Sequence, residues 1–157
     1  KRFVADFPHV LLLSDEVYEH IVFNGRLHES VLRYPELAAR AFVISSFGKT
    51  YHCTGWKVGY CVAPAALTAE FRKVHQYNTF CTFAPAQWAF AEMIERHPEH
   101  YDELGAFYQA KRDRFAAQLA GTKLKALPVP GGYFQLVDYS AVSDLDDLAF
   151  CRWLTIE

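Results

Sequence analysis

The chain has 157 residues, 52% of them apolar and 16% aromatic, and its 16 Lys and Arg against 18 Asp and Glu leave a net charge of −2. That length and composition suit one domain with a real core and exclude a disordered tail. The near-neutral balance offers no electrostatic footprint for nucleic acid or an anionic membrane, and no apolar run approaches the roughly 20 residues of a membrane span.

In chain order, Lys1–Pro8 reads as the tail of a helix feeding a strand. Val10–Leu13 is a continuous apolar run entering Ser14-Asp15-Glu16, which suits a strand covered on both faces in a parallel α/β sheet. Leu32–Ala39 reads as a short helix, and AFVISS over Ala41–Ser46 as a second strand ending in small polar residues. Val58–Val62 is a third strand, closed by Ala63-Pro64. Leu67, Phe71, Val74 and Tyr77 then recur at helical spacing up to Phe80. Pro85 opens a helix to about Arg96, and Pro98–Gly121 is a long helix punctuated by Gly105. Leu124–Val129 and Tyr133–Val137, joined by Pro130-Gly131-Gly132, predict a β-hairpin. Ser143 before Asp144–Asp147 predicts the cap of a last helix over Asp146–Glu157.

The four cysteines, Cys53, Cys61, Cys81 and Cys151, include no C-x-x-C pair, and their apolar neighbours predict reduced, buried thiols in a reducing cytoplasm. The seven histidines show no metal-ligand spacing. Chemistry gathers instead at strand ends. Asp15 and Tyr18 follow the first strand, Ser46 to Lys49 follow the second, and Thr54-Gly55-Trp56-Lys57 precede the third. Ligands of open α/β sheets bind beyond the carboxyl ends of parallel strands. Gly48 and Gly55 are expected to permit close backbone approach there. Each residue also has a bland reading: a solvated lysine for Lys49, a helix cap for Asp15, a packed phenol for Tyr18, a surface ion pair for Lys57.

SSFGKTYHCTGWKVGY, residues 45–60, resembles the lysine motif of class I/II aminotransferases, fold-type I enzymes that use pyridoxal 5′-phosphate (PLP). DEVYE, residues 15–19, stands upstream of Lys49 at the distance the family expects. KVGYCVAP and RKVHQY are closest to the methionine aminotransferase branch, which is similar to kynurenine aminotransferases.

The resemblance implies a PLP-dependent transferase-like α/β fold with a mainly parallel sheet. Residues 1–100 would belong to the large PLP-binding domain, 101–121 to a connecting helix, and 122–157 to the start of a small α+β domain. It implies that Lys49 forms the Schiff base and later shuttles the α-proton, Asp15 faces the pyridine nitrogen, and Tyr18 bonds the phenolic oxygen. Ser46 and Lys57 would hold the phosphate, with lysine replacing the family's frequent arginine; Ser45 could stand in for Ser46 but lacks its spacing. No metal is implied. The partners implied are an amino acid, a 2-oxo acid and a second copy of the chain, in the cytoplasm. The aromatic that stacks on the ring and an asparagine beside Asp15 would precede Lys1, and a carboxylate-binding arginine would follow Glu157. With Met93 as the only methionine, the chain reads as a central fragment, expected to be inactive alone. A carbon–sulfur β-lyase, or a ligand-sensing domain of a transcription regulator, are the alternatives. Tyr133 and Phe134 could border a substrate entrance, although hairpin core is the expected role, and His52 is expected only to pack.

Overall fold

The computed structural model describes residues 6–156, so the reading of Lys1–Pro8 as a helix end lies mostly outside the described residues. A three-stranded sheet carries the first half, ordered β1 (Leu12–Asp15), β2 (Ala41–Ser46), β3 (Gly59–Val62). β1 and β2 are parallel, with Leu12 opposite Ala41 and Asp15 opposite Ile44. The segment between them makes the crossover that parallel strands require, through a 3₁₀ turn at Val31–Arg33 and a one-turn helix, α1 (Pro35–Ala38). Pro35 splits the single helix predicted over Leu32–Ala39 into these two pieces. β3 returns antiparallel, with Ser46 opposite Gly59. The stretch from Phe47 to Val58 holds only one helical turn, α2 (Phe47–Thr50), and a 3₁₀ turn at Thr54–Trp56, too little to recross the sheet.

Three helices follow: α3 (Ala65–Asn78), α4 (Ala84–Arg96) and α5 (Glu99–Leu119). Gly105 does not break α5. A Cβ there would lie 3.0 Å from the Val22 carbonyl, so glycine lets the helix press against the segment after β1. Two cores result. Ile21, Phe23 and Leu104 gather Tyr18, Tyr108 and Val129 around them, and Val58, Ala86 and Phe90 gather Phe47, Tyr51 and Cys53. The stripe on α3 is no core face among the described residues, since Val74 and Tyr77 are 68% and 88% exposed. Leu11 and Leu13 are exposed beside β1 as well, so that strand is not covered on both faces here.

The predicted hairpin is mostly a loop. Only β4 (Lys125–Ala126) and β5 (Val137–Asp138) pair, antiparallel. Pro128 and Pro130 have no N–H to give a ladder, and the segment docks elsewhere. Gly131 bridges to Val22, the Gly132 N–H donates to Ile21 O at 2.8 Å, and the Phe23 N–H donates to Pro130 O at 3.0 Å. The last helix, α6 (Asp147–Ile156), is capped by Asp146, whose carboxylate accepts from Ala149 N at 2.8 Å. Ser143, the predicted cap, instead closes a turn onto Leu145 N at 3.2 Å. All four cysteines are free thiols, but none is buried as expected: Cys53 and Cys61 are half-buried, and Cys81 and Cys151 are exposed. No helix among the described residues is long and apolar enough to cross a membrane.

Candidate active site

Lys49 sits in α2, directly beyond the carboxyl end of β2. The turn is built locally. Ser46 Oγ accepts from Gly48 N at 3.2 Å, and Tyr51 N–H donates to Phe47 O at 2.8 Å. Gly48 meets Thr54 so closely that a Cβ would lie 2.9 Å from the Thr54 Cα. The chain then doubles back through His52 in the left-handed region at φ 58°, an uncommon conformation for a side chain with a Cβ. From the far side, α5 braces the turn: His100 Nε2 contacts Thr50 O at 2.6 Å and its ring stacks on Tyr51.

Register places the other candidates. Paired residues of neighbouring strands share a face, and faces alternate along each strand. Asp15 opposite Ile44, and Ser46 opposite Gly59, therefore point to one side of the sheet. Ser45 points to the other, where its buried hydroxyl donates to Glu19 Oε1 at 2.6 Å. That commitment separates the two adjacent serines on geometry. Asp15 is exposed and also accepts from the Val17 N–H at 3.3 Å, which fixes the bend leading to Tyr18.

The antiparallel return of β3 carries Lys57 to the same end of the sheet as Ser46. Lys57 is exposed and left-handed, at φ 54°. Gly55, expected to supply the close approach, has open space around its Cα and no positive φ, so the turn's tight contact belongs to Gly48 and its backbone reversal to Lys57. Gly59 makes a second close approach, since a Cβ would lie 2.5 Å from Ser45 O.

Comparisons with known proteins bear on this arrangement. Residues 2–157 match the family model described as aminotransferase class I and II. The chain belongs to the class I and II aminotransferases. It is similar to the methionine aminotransferase of Escherichia coli K12, 59% identical over 94% of this chain and 38% of that protein. Kynurenine–oxoglutarate transaminase of Dictyostelium discoideum is 35% identical over 86% of the chain and 32% of its own length. Among solved structures, an Escherichia coli protein with a methionine aminotransferase function superposes with a TM-score of 0.93 at 55% identity, covering 99% of this chain and 42% of that one. N-succinyldiaminopimelate aminotransferase from Mycobacterium tuberculosis gives 0.89 at 33% identity, over 97% and 40%. The chain thus spans about two fifths of the length of these aminotransferases.

One residue beside Lys49 is more than the sequence suggests. Tyr133 is no hairpin core: its hydroxyl accepts from Lys49 Nζ at 3.0 Å, and its ring packs edge-on to Tyr18, with centroids 5.1 Å apart. Lys49, Tyr133, Gly48, His52, Thr54 and Tyr108 line one cavity of about 320 Å³. Burial is the largest influence on Tyr18, followed by its hydrogen bond to Tyr133, and together with nearby charge they push the phenol up to about 12. Tyr133 shifts the opposite way, first because Lys49 donates to it and next because Tyr18 does. The GGYF string offered a turn signal and a possible place at a substrate entrance. Nothing in it pointed back along the chain to the lysine.

Behind the site, Glu16 is buried and holds the crossover in place. It accepts from Ser14 Oγ at 2.8 Å and Val31 N at 3.0 Å, and pairs with His28 Nε2 at 2.8 Å. Burial alone would raise its carboxyl, but these hydrogen bonds and one from Ser30 outweigh it and bring it to about 2. No group of three or more metal-ligating side chains gathers among the described residues.

Proposed function

We propose that the full-length protein is a PLP-dependent aminotransferase that moves the α-amino group of an amino acid, methionine or another large apolar or aromatic one, to a 2-oxo acid. The carrying observation is that Asp15 and Ser46 end two neighbouring parallel strands, with Lys49 in the turn just beyond and Lys57 two residues before the Gly59 that pairs with Ser46. The kinship with methionine aminotransferase supports the choice of substrate.

The donor set at this end of the sheet fits PLP. The cofactor carries a phosphate, a pyridine nitrogen, a phenolic oxygen and an aldehyde, and the chain presents a cation with a hydroxyl, a carboxylate, a phenol and an amine. When bound, PLP supplies the conjugated cationic ring that stabilises negative charge at the substrate's α-carbon. Asp15 would hold the proton at the ring nitrogen. Tyr18 would bond the phenolic oxygen. Ser46 would orient the phosphate and Lys57 would neutralise it, as a point charge without arginine's fork. Lys49 would hold the cofactor through its amine and, with that amine free, would take the proton from the substrate's α-carbon. Residues 1–100 form part of the large domain in this reading, 101–121 the connecting helix and 122–157 the start of the small domain. The whole enzyme works as a cytoplasmic homodimer, as family membership and the four free thiols favour.

Lys49→Ala in the full-length protein tests the reading. Borohydride should no longer fix PLP to the chain, and transamination should fall to near zero. Normal turnover with a borohydride-reducible adduct would remove Lys49 from the chemistry. Assaying 2-oxo acid against released ammonia and pyruvate separates transamination from β-elimination.

A further inference from the structure

We propose that Tyr133 is the positioning residue for Lys49, its hydroxyl holding the lysine's amine at the end of the sheet while its ring is clamped between Tyr18 and Tyr108. The proposal rests on Lys49 being the reactive amine and adds what keeps that amine in place. A lysine side chain has many rotamers to lose, so one half-exposed hydrogen bond fixes it only if the acceptor is itself immobile. Tyr133 is immobile for reasons that can be followed residue by residue.

Its backbone is pinned first. Gly131 bridges to Val22, and a Cβ on Gly131 would lie 2.7 Å from Ile21 O, so only glycine lets the loop lie this close. Gly132 donates to Ile21 O and adopts a positive φ of 76°, which turns the chain toward α2. The ring is gripped next. Tyr18 packs edge-on, and Tyr108 of α5 stacks at 5.7 Å with an interplanar angle of 28°. Tyr108 is in turn held by His52 Nδ1, 3.0 Å from its hydroxyl. His52 stands just after Lys49, in the lysine's own loop. The contacts therefore close a circuit: Lys49 to Tyr133, Tyr133 to Tyr108, Tyr108 to His52, and His52 back along the chain.

The oxygen at the centre accepts from Lys49 at 3.0 Å. This explains why a tyrosine is used, since phenylalanine would fill the same clamp without receiving the amine. During turnover Lys49 is released from covalent attachment and needs a fixed resting point from which to move the α-proton. Tyr133 supplies it.

Tyr133→Phe in the full-length enzyme keeps the ring and deletes the acceptor. The single-turnover rate of the amino-acid half-reaction should fall about tenfold, the rate equivalent of one hydrogen bond, with KM and Tm near those of the parent. A second readout needs no cofactor. In the cofactor-free protein labelled with ¹³C at the tyrosine ζ carbon, the resonance absent from Tyr133→Phe should titrate below the ordinary tyrosine value of about 10. It should move upward in Lys49→Met. An unmoved resonance in Lys49→Met, or a half-reaction rate within twofold in Tyr133→Phe, would overturn the proposal while leaving Lys49 as the reactive amine. PLP still attached covalently in Lys49→Met would overturn the underlying reading instead.

Discussion

Lys49 and Tyr133 meet across 3.0 Å, yet the segments that carry them are built in opposite ways. Residues 45–60 form a hairpin around the lysine turn, held by a serine cap, two glycines pressed against backbone and strand pairs on both sides. Residues 128–134 have two prolines, no ladder of their own and a backbone fixed by docking on residues 21–23 and by Arg112, which donates to Val129 O at 3.1 Å. The first segment is held largely by its own local contacts and, in the proposed reading, carries the reactive amine. The second borrows its rigidity and aligns what the first presents. A site of this kind fails in two distinguishable ways, through lost chemistry or through lost alignment.

The sharpest way to break that division is Asp15→Asn. A neutral amide cannot hold the proton at the ring nitrogen, so removal of the α-proton should slow by several kcal/mol of transition-state stabilisation, ~10²–10³-fold or more, with the fold intact. Unchanged α-deuterium exchange in the variant would take Asp15 out of the site. Glycine substitutions probe both segments with the same lesion. Gly59→Ala forces a Cβ to within 2.5 Å of Ser45 O and should cost about 3 kcal/mol, losing stability and PLP attachment together. Gly131→Ala meets Ile21 O at 2.7 Å and should cost about 2 kcal/mol, displacing Tyr133 while PLP still attaches. If both variants lose attachment equally, the two segments are not separable as described.

The smallest expected effect concerns the support behind both. Glu16 lies at about 2 in the fold against 4.5 as an unperturbed group. Its contribution is thus complete above pH 4.5 and is lost as pH falls toward 2. Glu16→Gln should destabilise the neutral-pH protein by about 2 kcal/mol and flatten the acid limb of its denaturation profile. An unchanged acid limb would assign the stabilisation elsewhere.

What could be read from the sequence follows the same division. β2 runs over Ala41–Ser46 as predicted because alternation and flanking signals are local, and Asp15 and Lys49 stand out through the resemblance of DEVYE and SSFGKTYHCTGWKVGY to aminotransferase motifs. Two of the misreadings are tertiary, and the cap is a local one. Gly105 resembles punctuation but is a contact with Val22, and Ser143 resembles a cap but yields to Asp146 further along. Pro130-Gly131-Gly132 resembles a hairpin turn because its composition is a turn's, whereas its hydrogen bonds go to Ile21 and Phe23, at the other end of the chain. Lys57 was legible as a charge, but its place at the Ser46 end of the sheet depended on β3 running antiparallel.

That antiparallel return has a consequence for the order in which the protein assembles. Ser46 and Gly59 pair across one short loop, whereas the contact between Lys49 and Tyr133 spans most of the chain. By chain statistics the longer closure costs about 2 kcal/mol more entropy, and nothing rewards it until the intervening helices are in place. The Ser46 end of the sheet is therefore an early, short-range structure, and the contact of Tyr133 with the lysine a late one. Pulsed hydrogen exchange during refolding of the full-length protein should protect the Tyr51 and Cys53 amides before that of Gly132. Protection in the reverse order would mean that distant docking, rather than the short return of the chain, organises the pocket.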